Sequence, residues 1–138
     1  MFNKKTKIGF TLVELLVVVA IIGLLGGMVV ISIQNVKAKS RDTKRTTDVN
    51  SINTALGLYH NTYSTYPSFS GFITGSDAFS VALKGSGLIS TVPVDPLNSG
   101  DYKYYYQSDA DGQDFYFEYY LETNSISGKS AGRNYLVP

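Results

Sequence analysis

Residues 9–25 of the chain read GFTLVELLVVVAIIGLL, and the apolar character continues to Ile33. From Phe10 to Ile33 almost every side chain is apolar or small, over about the 20 residues that an α-helix needs to cross a bilayer. Glu14 interrupts this pattern near its start. Because a carboxylate inside a membrane is costly unless something satisfies it, we expect Glu14 to have a partner.

A lysine-rich patch in residues 4–7 precedes the Gly9–Phe10 junction, and Glu14 follows it. This arrangement resembles the class III signal and N-terminal helix of the type IV filament superfamily, which comprises prepilins and pseudopilins. The resemblance implies cleavage after Gly9 by a membrane-embedded prepilin peptidase and N-methylation of the new terminus at Phe10. It also implies that Glu14 neutralises the terminal ammonium group of a neighbouring subunit during assembly.

The position of the proposed cut distinguishes this segment from an ordinary secretory signal peptide, whose cleavage site follows its apolar region. Here the cut precedes the apolar region, so the mature protein keeps its helix. Positive charge in residues 4–7 predicts a cytoplasmic N-terminus. We expect a single-pass precursor in the inner (cytoplasmic) membrane, and afterwards an extracellular or periplasmic filament.

Helical character continues beyond the apolar segment. Apolar side chains recur there at spacings of three, four and three, at Val49, Ile52, Leu56 and Tyr59. This spacing is typical of an amphipathic helix that packs one face on a sheet. Since no proline occurs between Phe10 and His60, we predict one helix of about 50 residues, roughly 75 Å long. Pro67 disfavours helical backbone at Tyr66 and ends it.

Two aromatic-rich segments, Tyr102–Gln107 and Phe115–Glu122, have strand propensity, and turn residues separate them. They predict an antiparallel hairpin, to which we expect Tyr135–Val137 to add a third strand. Residues 68–90 are rich in glycine and serine and predict a loop. Within this loop we expect a short helix around residues 77–83, capped by Ser76 or Asp77.

Together these elements predict an α+β, pilin-like fold, in which a long N-terminal helix packs by its C-terminal half on a small antiparallel β-sheet. We expect a leader in residues 1–9, a transmembrane or filament-core helix in 10–33, its amphipathic continuation in 34–60 and a globular head in 61–138. The run from Arg41 to Arg45 resembles a passage of both bacterial pilin-like proteins and major pseudopilins. The proline-rich passage around Asp95 resembles the one that precedes the sheet in major pseudopilins.

The chain has no cysteine, which excludes disulfides and thiolate metal sites. Many members of the superfamily close a C-terminal loop with a disulfide, so this chain must hold its loop in another way. A single histidine and the absence of a nucleophile elbow or phosphate loop give no support to catalysis, and we expect the protein not to be an enzyme.

The densest carboxylate cluster consists of Asp109, Asp111 and Asp114, around Gly112. Calcium prefers several oxygen ligands, and aspartates around a glycine turn can supply them. The resemblance to major pseudopilins, which bind calcium in a loop of this part of the fold, supports a calcium site as the one possible cofactor. Asp-Gly is also a common hairpin-turn dipeptide, and Tyr120 stands where a calcium loop would have its glutamate. A calcium site and a solvated turn both remain open.

The helix between Lys37 and Arg45 carries five basic residues, tempered by Asp42 and Asp48. This segment could contact lipid phosphates, the next subunit or DNA, or be an ordinary solvated face. Without the three leader lysines the formal net charge changes from +1 to −2, which gives no global reason to expect nucleic-acid binding. DNA is therefore not an expected partner.

The expected function is that of a structural subunit of a type IV pilus-like filament, assembled through its N-terminal helix after cleavage. A major-type pseudopilin of a type II secretion system is the alternative, and a monomeric membrane-anchored binding protein is a second alternative. Besides copies of itself and the membrane, the resemblance implies three partners: the prepilin peptidase, an inner-membrane platform protein and an assembly ATPase.

Overall fold

The computed structural model of the protein describes residues 9–138, apart from the side chains of residues 28–31. The chain divides into two compact units, Met1–Lys37 and Ala38–Pro138. The basic patch at Lys4, Lys5 and Lys7 lies outside the described residues. The four segment boundaries expected from the sequence remain predictions.

Helix α1 spans Leu12–Tyr63, which is 52 residues and confirms the single long helix. It ends three residues beyond His60. The following residue, Ser64, has a φ of 58°, a left-handed conformation that an α-helix cannot continue. The Ser64 amide donates to the His60 carbonyl oxygen at 2.7 Å and closes the last turn.

Four strands form one antiparallel sheet in the order β1-β2-β3-β4. Their bounds are Ser70–Phe72 for β1, Tyr105–Ser108 for β2, Phe115–Leu121 for β3 and Gly132–Leu136 for β4. The β2–β3 pair confirms the hairpin, and β4 confirms the third strand, although it begins three residues earlier than expected. Residues 102–104 are not part of β2, because Tyr102 pairs with Ser99 in a separate tight turn.

Strand β1 was not expected from the sequence. It has three residues, too few to show an alternating pattern, and it lies in the glycine- and serine-rich region. Its backbone pairs with residues 105–107 of β2, and in this register Phe72 lies opposite Tyr105. Pairing with a distant segment thus decides the conformation of β1.

The core of the head lies between one face of the sheet and the second half of α1. Buried side chains on β3 alternate with more accessible ones along the whole strand. They share one apolar cluster with Val49, Ile52 and Leu56 of α1, which confirms the stripe expected from the sequence. Burying each such side chain contributes about 1.5–3 kcal/mol.

Helix α2 spans Ala78–Gly85 and confirms the expected short helix. Its N-cap is Asp77, whose Oδ1 accepts a hydrogen bond from the Ser80 amide at 2.9 Å. Phe79 is fully buried and packs against Tyr106, with ring centroids 4.3 Å apart. The elements together form a pilin-like α+β fold.

Candidate assembly site

Glu14 lies in the first turn of α1 and has a partner in its own chain. Its Oε2 atom accepts hydrogen bonds from the Thr11 amide at 2.8 Å and from the Thr11 hydroxyl at 2.7 Å. The Thr11 hydroxyl in turn accepts from the Glu14 amide at 3.3 Å. This reciprocal pattern is a capping box, which satisfies the free amides at the start of a helix. The capping box holds the Glu14 carboxylate at the N-terminal end of α1.

The apolar side chains around Glu14 are exposed in the described part of the chain. The side chains of α1 up to residue 27 are exposed, and Phe10 and Leu12 are 73% and 79% accessible. By length and composition α1 contains a segment able to cross a membrane. So large an apolar surface is stable only in lipid or against other apolar helices.

Gly9 and Phe10 precede the first residue of α1 and are both exposed. A Cβ atom added at Gly9 would meet no atom within 4 Å. Exposed backbone without regular structure is the kind of segment that proteases cleave. The geometry of this junction is therefore compatible with processing, which remains a prediction.

A second polar site lies inside the head and is centred on Arg45. Its guanidinium donates to Asp95 twice, from Nε to Oδ2 at 2.6 Å and from Nη2 to Oδ1 at 3.0 Å. Its Nη1 also donates to Asp42 Oδ1 at 2.9 Å and to Glu122 Oε1 at 2.6 Å. Arg45 and Asp42 are fully buried, so the expectation of a solvated or subunit-facing basic segment is wrong for both residues.

The same contacts tie the residues that follow β3 to α1. Asp42 accepts hydrogen bonds from the amides of Glu122 at 2.9 Å and Thr123 at 2.8 Å. Arg41 donates to Glu122 from both Nε and Nη2. We call Arg41, Asp42, Arg45, Asp95 and Glu122 the Arg45 network. It holds the C-terminal part of the chain without a disulfide.

The electrostatics of the Arg45 network favour its charged forms. Hydrogen bonds from Arg41, together with those from Arg45, lower the pKa of Glu122 to about 2. Burial alone would lower the pKa of Arg45, but its hydrogen bonds with Asp95 and Glu122 outweigh burial and raise it. Among residues 9–138 with described side chains, every buried side-chain nitrogen and oxygen has a hydrogen-bond partner. Such complete pairing is what makes buried charge tolerable.

The three aspartates of the candidate calcium site are exposed and lie in the turn between β2 and β3. Asp109 Oδ1 accepts from the Gln113 amide at 2.8 Å, and the Asp109 amide donates to the Asp114 carbonyl oxygen at 3.1 Å. Asp109 and Asp114 line one surface depression, whereas Asp111 does not.

The described residues contain no group of three or more histidine, cysteine or acidic side chains placed to hold a metal ion. The hairpin turn is thus formed, and calcium binding stays a prediction.

Comparisons with known proteins place these features in a family. The family model "Prokaryotic N-terminal methylation motif" matches residues 4–30. The chain is 31% identical over 112 residues to "Type II secretion system core protein G" of Vibrio cholerae serotype O1, covering 75% of this chain and 74% of that protein.

Two further relatives carry the same name over shorter alignments. The protein from Aeromonas hydrophila is 34% identical over 65 residues, which is 47% of this chain and 46% of that protein. The protein from Pectobacterium carotovorum is 38% identical over 60 residues, which is 44% of this chain and 38% of that protein. No solved structure shows a significant match.

The methylation motif covers the candidate assembly site at Gly9, Phe10 and Glu14. The alignment with the Vibrio protein is longer than the 52-residue helix α1 and therefore includes part of the head. The chain accordingly belongs to the pilin and pseudopilin superfamily, and within it to the family of type II secretion system core protein G.

Proposed function

We propose that the chain is a major-type pseudopilin of a type II secretion system, a structural subunit that assembles into a filament. One observation carries this proposal: the similarity to a protein named as a core component of that system extends over 75% of the chain. Because it includes the head, the similarity is more specific than the methylation motif, which pilins and pseudopilins share. It supports the secretion alternative better than a type IV pilus.

The N-terminal helix is proposed to anchor the precursor in the membrane and then to pack in the core of the filament. The exposed apolar residues from Phe10 to Leu25 suit both surroundings, since lipid and neighbouring apolar helices cover them equally well. A head-to-tail contact between identical copies that does not close on itself generates a helical filament.

Glu14 is proposed to direct this packing. Cleavage after Gly9 would create a positively charged terminus at Phe10, in apolar surroundings. The Glu14 carboxylate of a neighbouring copy would pair with that charge, so that assembly removes two isolated charges from an apolar environment. Within one chain Glu14 is already held by Thr11, which fixes its position before it meets a neighbour.

The partners follow from this proposal. A prepilin peptidase would cleave and methylate the precursor, and an inner-membrane platform protein with its ATPase would drive assembly. The role proposed for the chain is mechanical rather than catalytic. Its own residues supply the anchor, the assembly contact and a stable head.

The test is a deletion of the gene in its native cell, followed by assays of protein secretion and of surface pili. The proposal expects secreted proteins to accumulate in the periplasm while surface pili and motility persist. Loss of pili with normal secretion would instead support the type IV pilus. A mature protein that remains strictly monomeric in membrane cross-linking would support the anchored binding protein.

Mass spectrometry of the mature protein gives an independent measurement. The proposal expects N-methylated Phe10 as the first residue. An intact N-terminus that still carries residues 1–9 in functional filaments would contradict processing at this junction.

A further inference from the structure

Two tyrosines lie side by side on the face of the sheet that points away from the apolar core. Tyr116 is on β3 and Tyr135 is on β4, where Tyr135 is paired across the strands with Glu118. The two tyrosines are thus diagonal neighbours, a spacing that aromatic side chains can bridge. Their ring centroids are 5.1 Å apart, and the ring planes are inclined by 35°.

The surroundings of this pair favour oxidation of the phenols. The Tyr116 hydroxyl donates to Glu118 Oε2 at 2.9 Å, so a proton acceptor is already in contact. Tyr135 is 50% exposed and can be reached from solvent.

Side chains that normally intercept oxidants are absent from this part of the chain. Sulfur-containing residues are common first targets. The sequence has no cysteine and no tryptophan, and its two methionines are Met1 and Met28, before the head begins. Tyrosine is therefore the most easily oxidised residue type in the head.

We propose that Tyr116 and Tyr135 form an oxidative cross-linking site, at which peroxide and a haem-peroxidase type of one-electron oxidant join the two rings as dityrosine. Each phenol loses one electron and one proton, and the proton of Tyr116 passes to Glu118. The two phenoxyl radicals form a carbon–carbon bond between ring carbons adjacent to the hydroxyls, and the rings then regain their aromaticity. One peroxide accepts the two electrons and two protons and becomes two waters.

The product would join the last strand covalently to its neighbour. Among the strands of residues 9–138, β4 is at the edge of the sheet and pairs with β3 alone. A bond between residues 116 and 135 closes a loop across the β3–β4 connection, and such a closure stabilises the folded state chiefly by restricting the unfolded chain. The chain would thereby gain the kind of covalent closure that it cannot obtain from cysteines.

Two other tyrosine pairs are weaker candidates. Tyr59 and Tyr63 are closer, at 4.5 Å, but in the described part of the chain neither hydroxyl donates to a carboxylate. Tyr102 and Tyr120 are 6.2 Å apart with their rings nearly perpendicular. In the described part of the chain neither of these hydroxyls donates to a carboxylate, and the Tyr120 hydroxyl accepts from the Arg133 guanidinium instead.

The experiment treats the full-length chain in detergent micelles with hydrogen peroxide and a haem peroxidase. Proteolysis and mass spectrometry then locate the cross-link. The expected product is an intramolecular pair of peptides containing Tyr116 and Tyr135 that has lost two hydrogen atoms, with dityrosine fluorescence. Tyr135→Phe should abolish this product, whereas Tyr105→Phe, on the same face of the sheet, should leave it unchanged.

Glu118→Gln provides a second readout, because it keeps the ring geometry and removes the proton acceptor. We expect slower formation of the same product. Three results would each overturn the proposal: a main cross-link at Tyr59–Tyr63, purely intermolecular products, or unchanged dityrosine fluorescence in Tyr135→Phe. Because the assay follows a bond within one chain, its result does not depend on filament assembly.

Discussion

Arg45 and Asp95 are joined by two hydrogen bonds, of 2.6 Å and 3.0 Å, although 50 positions separate them in the sequence. Both side chains are fully buried, and the pair connects the middle of α1 to the segment before β2. Two guanidinium nitrogens donate to the two carboxylate oxygens, a bidentate contact that lysine cannot reproduce. This contact positions α1 against the sheet.

Arg45→Met should therefore be strongly destabilising. It keeps an apolar side chain of similar reach but leaves Asp42 and Asp95 buried without their counter-charge. Removing one partner of a buried ion pair typically costs about 3–5 kcal/mol. Chemical denaturation followed by tyrosine fluorescence measures the loss. Lys39→Met, at an exposed position of the same helix, is the control and should be close to neutral. Equal stabilities of the two variants would contradict this role of Arg45.

The stability of the head should fall in acid because of Glu122. Its pKa is lowered from 4.5 to about 2 in the folded protein by Arg41 and Arg45. When the pKa of a carboxylate is lower in the folded than in the unfolded protein, the carboxylate stabilises the fold. This stabilisation is complete above the pKa of the unfolded state and is lost as the pH falls through the pKa of the folded state. Melting temperatures should therefore decrease between pH 4.5 and about 2. Glu122→Gln should remove much of this dependence, and an unchanged pH profile in that variant would refute the assignment.

Substitutions at Glu14 can separate helix capping from charge neutralisation. Glutamine also fits a capping box, so Glu14→Gln keeps the contact with Thr11 and loses only the charge. We expect Glu14→Gln and Glu14→Ala to be processed normally and to form few filaments. Thr11→Ala, which removes the cap and keeps the carboxylate, should still assemble. Electron microscopy of sheared filaments measures the outcome, and wild-type filament yield from Glu14→Gln would contradict the charge-neutralisation account.

Gly9 should be required for processing but not for folding. A Cβ atom at this exposed position meets no atom within 4 Å, so we expect Gly9→Leu to leave the described structure intact. We expect it to block cleavage and leave an uncleaved precursor in the membrane. Gly26→Leu, at another open position within α1, is the control and should be cleaved. Mass spectrometry of the N-terminus compares the two, and normal cleavage of Gly9→Leu would remove Gly9 from the processing site.

Thermal unfolding decides between the two interpretations of the aspartate turn. A calcium site at Asp109, Asp111 and Asp114 requires a higher melting temperature in millimolar calcium, because a ligand that binds only the folded state stabilises it. Asp114→Asn should then abolish the increase, and Asp101→Asn, also exposed, should not. A melting temperature that stays constant with calcium indicates a solvated turn.

Local patterns in the sequence were sufficient for the parts of the fold that depend on neighbouring residues. The spacing of Val49, Ile52 and Leu56 predicted the packed face of α1, and the aromatic-rich segment Phe115–Glu122 predicted strand β3. The cap of α2 could be narrowed to Ser76 or Asp77, and the structure shows that it is Asp77. Each signal lies within a few residues of the structure that it specifies.

Contacts between distant residues could not be predicted in this way. Arg45 appeared to be one of several surface charges, because its partners Asp95 and Glu122 are 50 and 77 positions away. Strand β1 likewise depends on β2, more than 30 residues later. The Thr11–Glu14 capping box is different, because its T-x-x-E signal is local and can be found in the sequence.

The Arg45 network also has a consequence for the order in which the head can form during synthesis. Arg45 leaves the ribosome well before Asp95 and Glu122, and a buried guanidinium without counter-charges is unfavourable. The second half of α1 therefore has no stable docking surface until residues 122 and 123 have emerged and bound Asp42. We infer that the head folds late, after nearly the whole chain has been synthesised, so that a chain truncated before residue 122 would expose its apolar face to proteases.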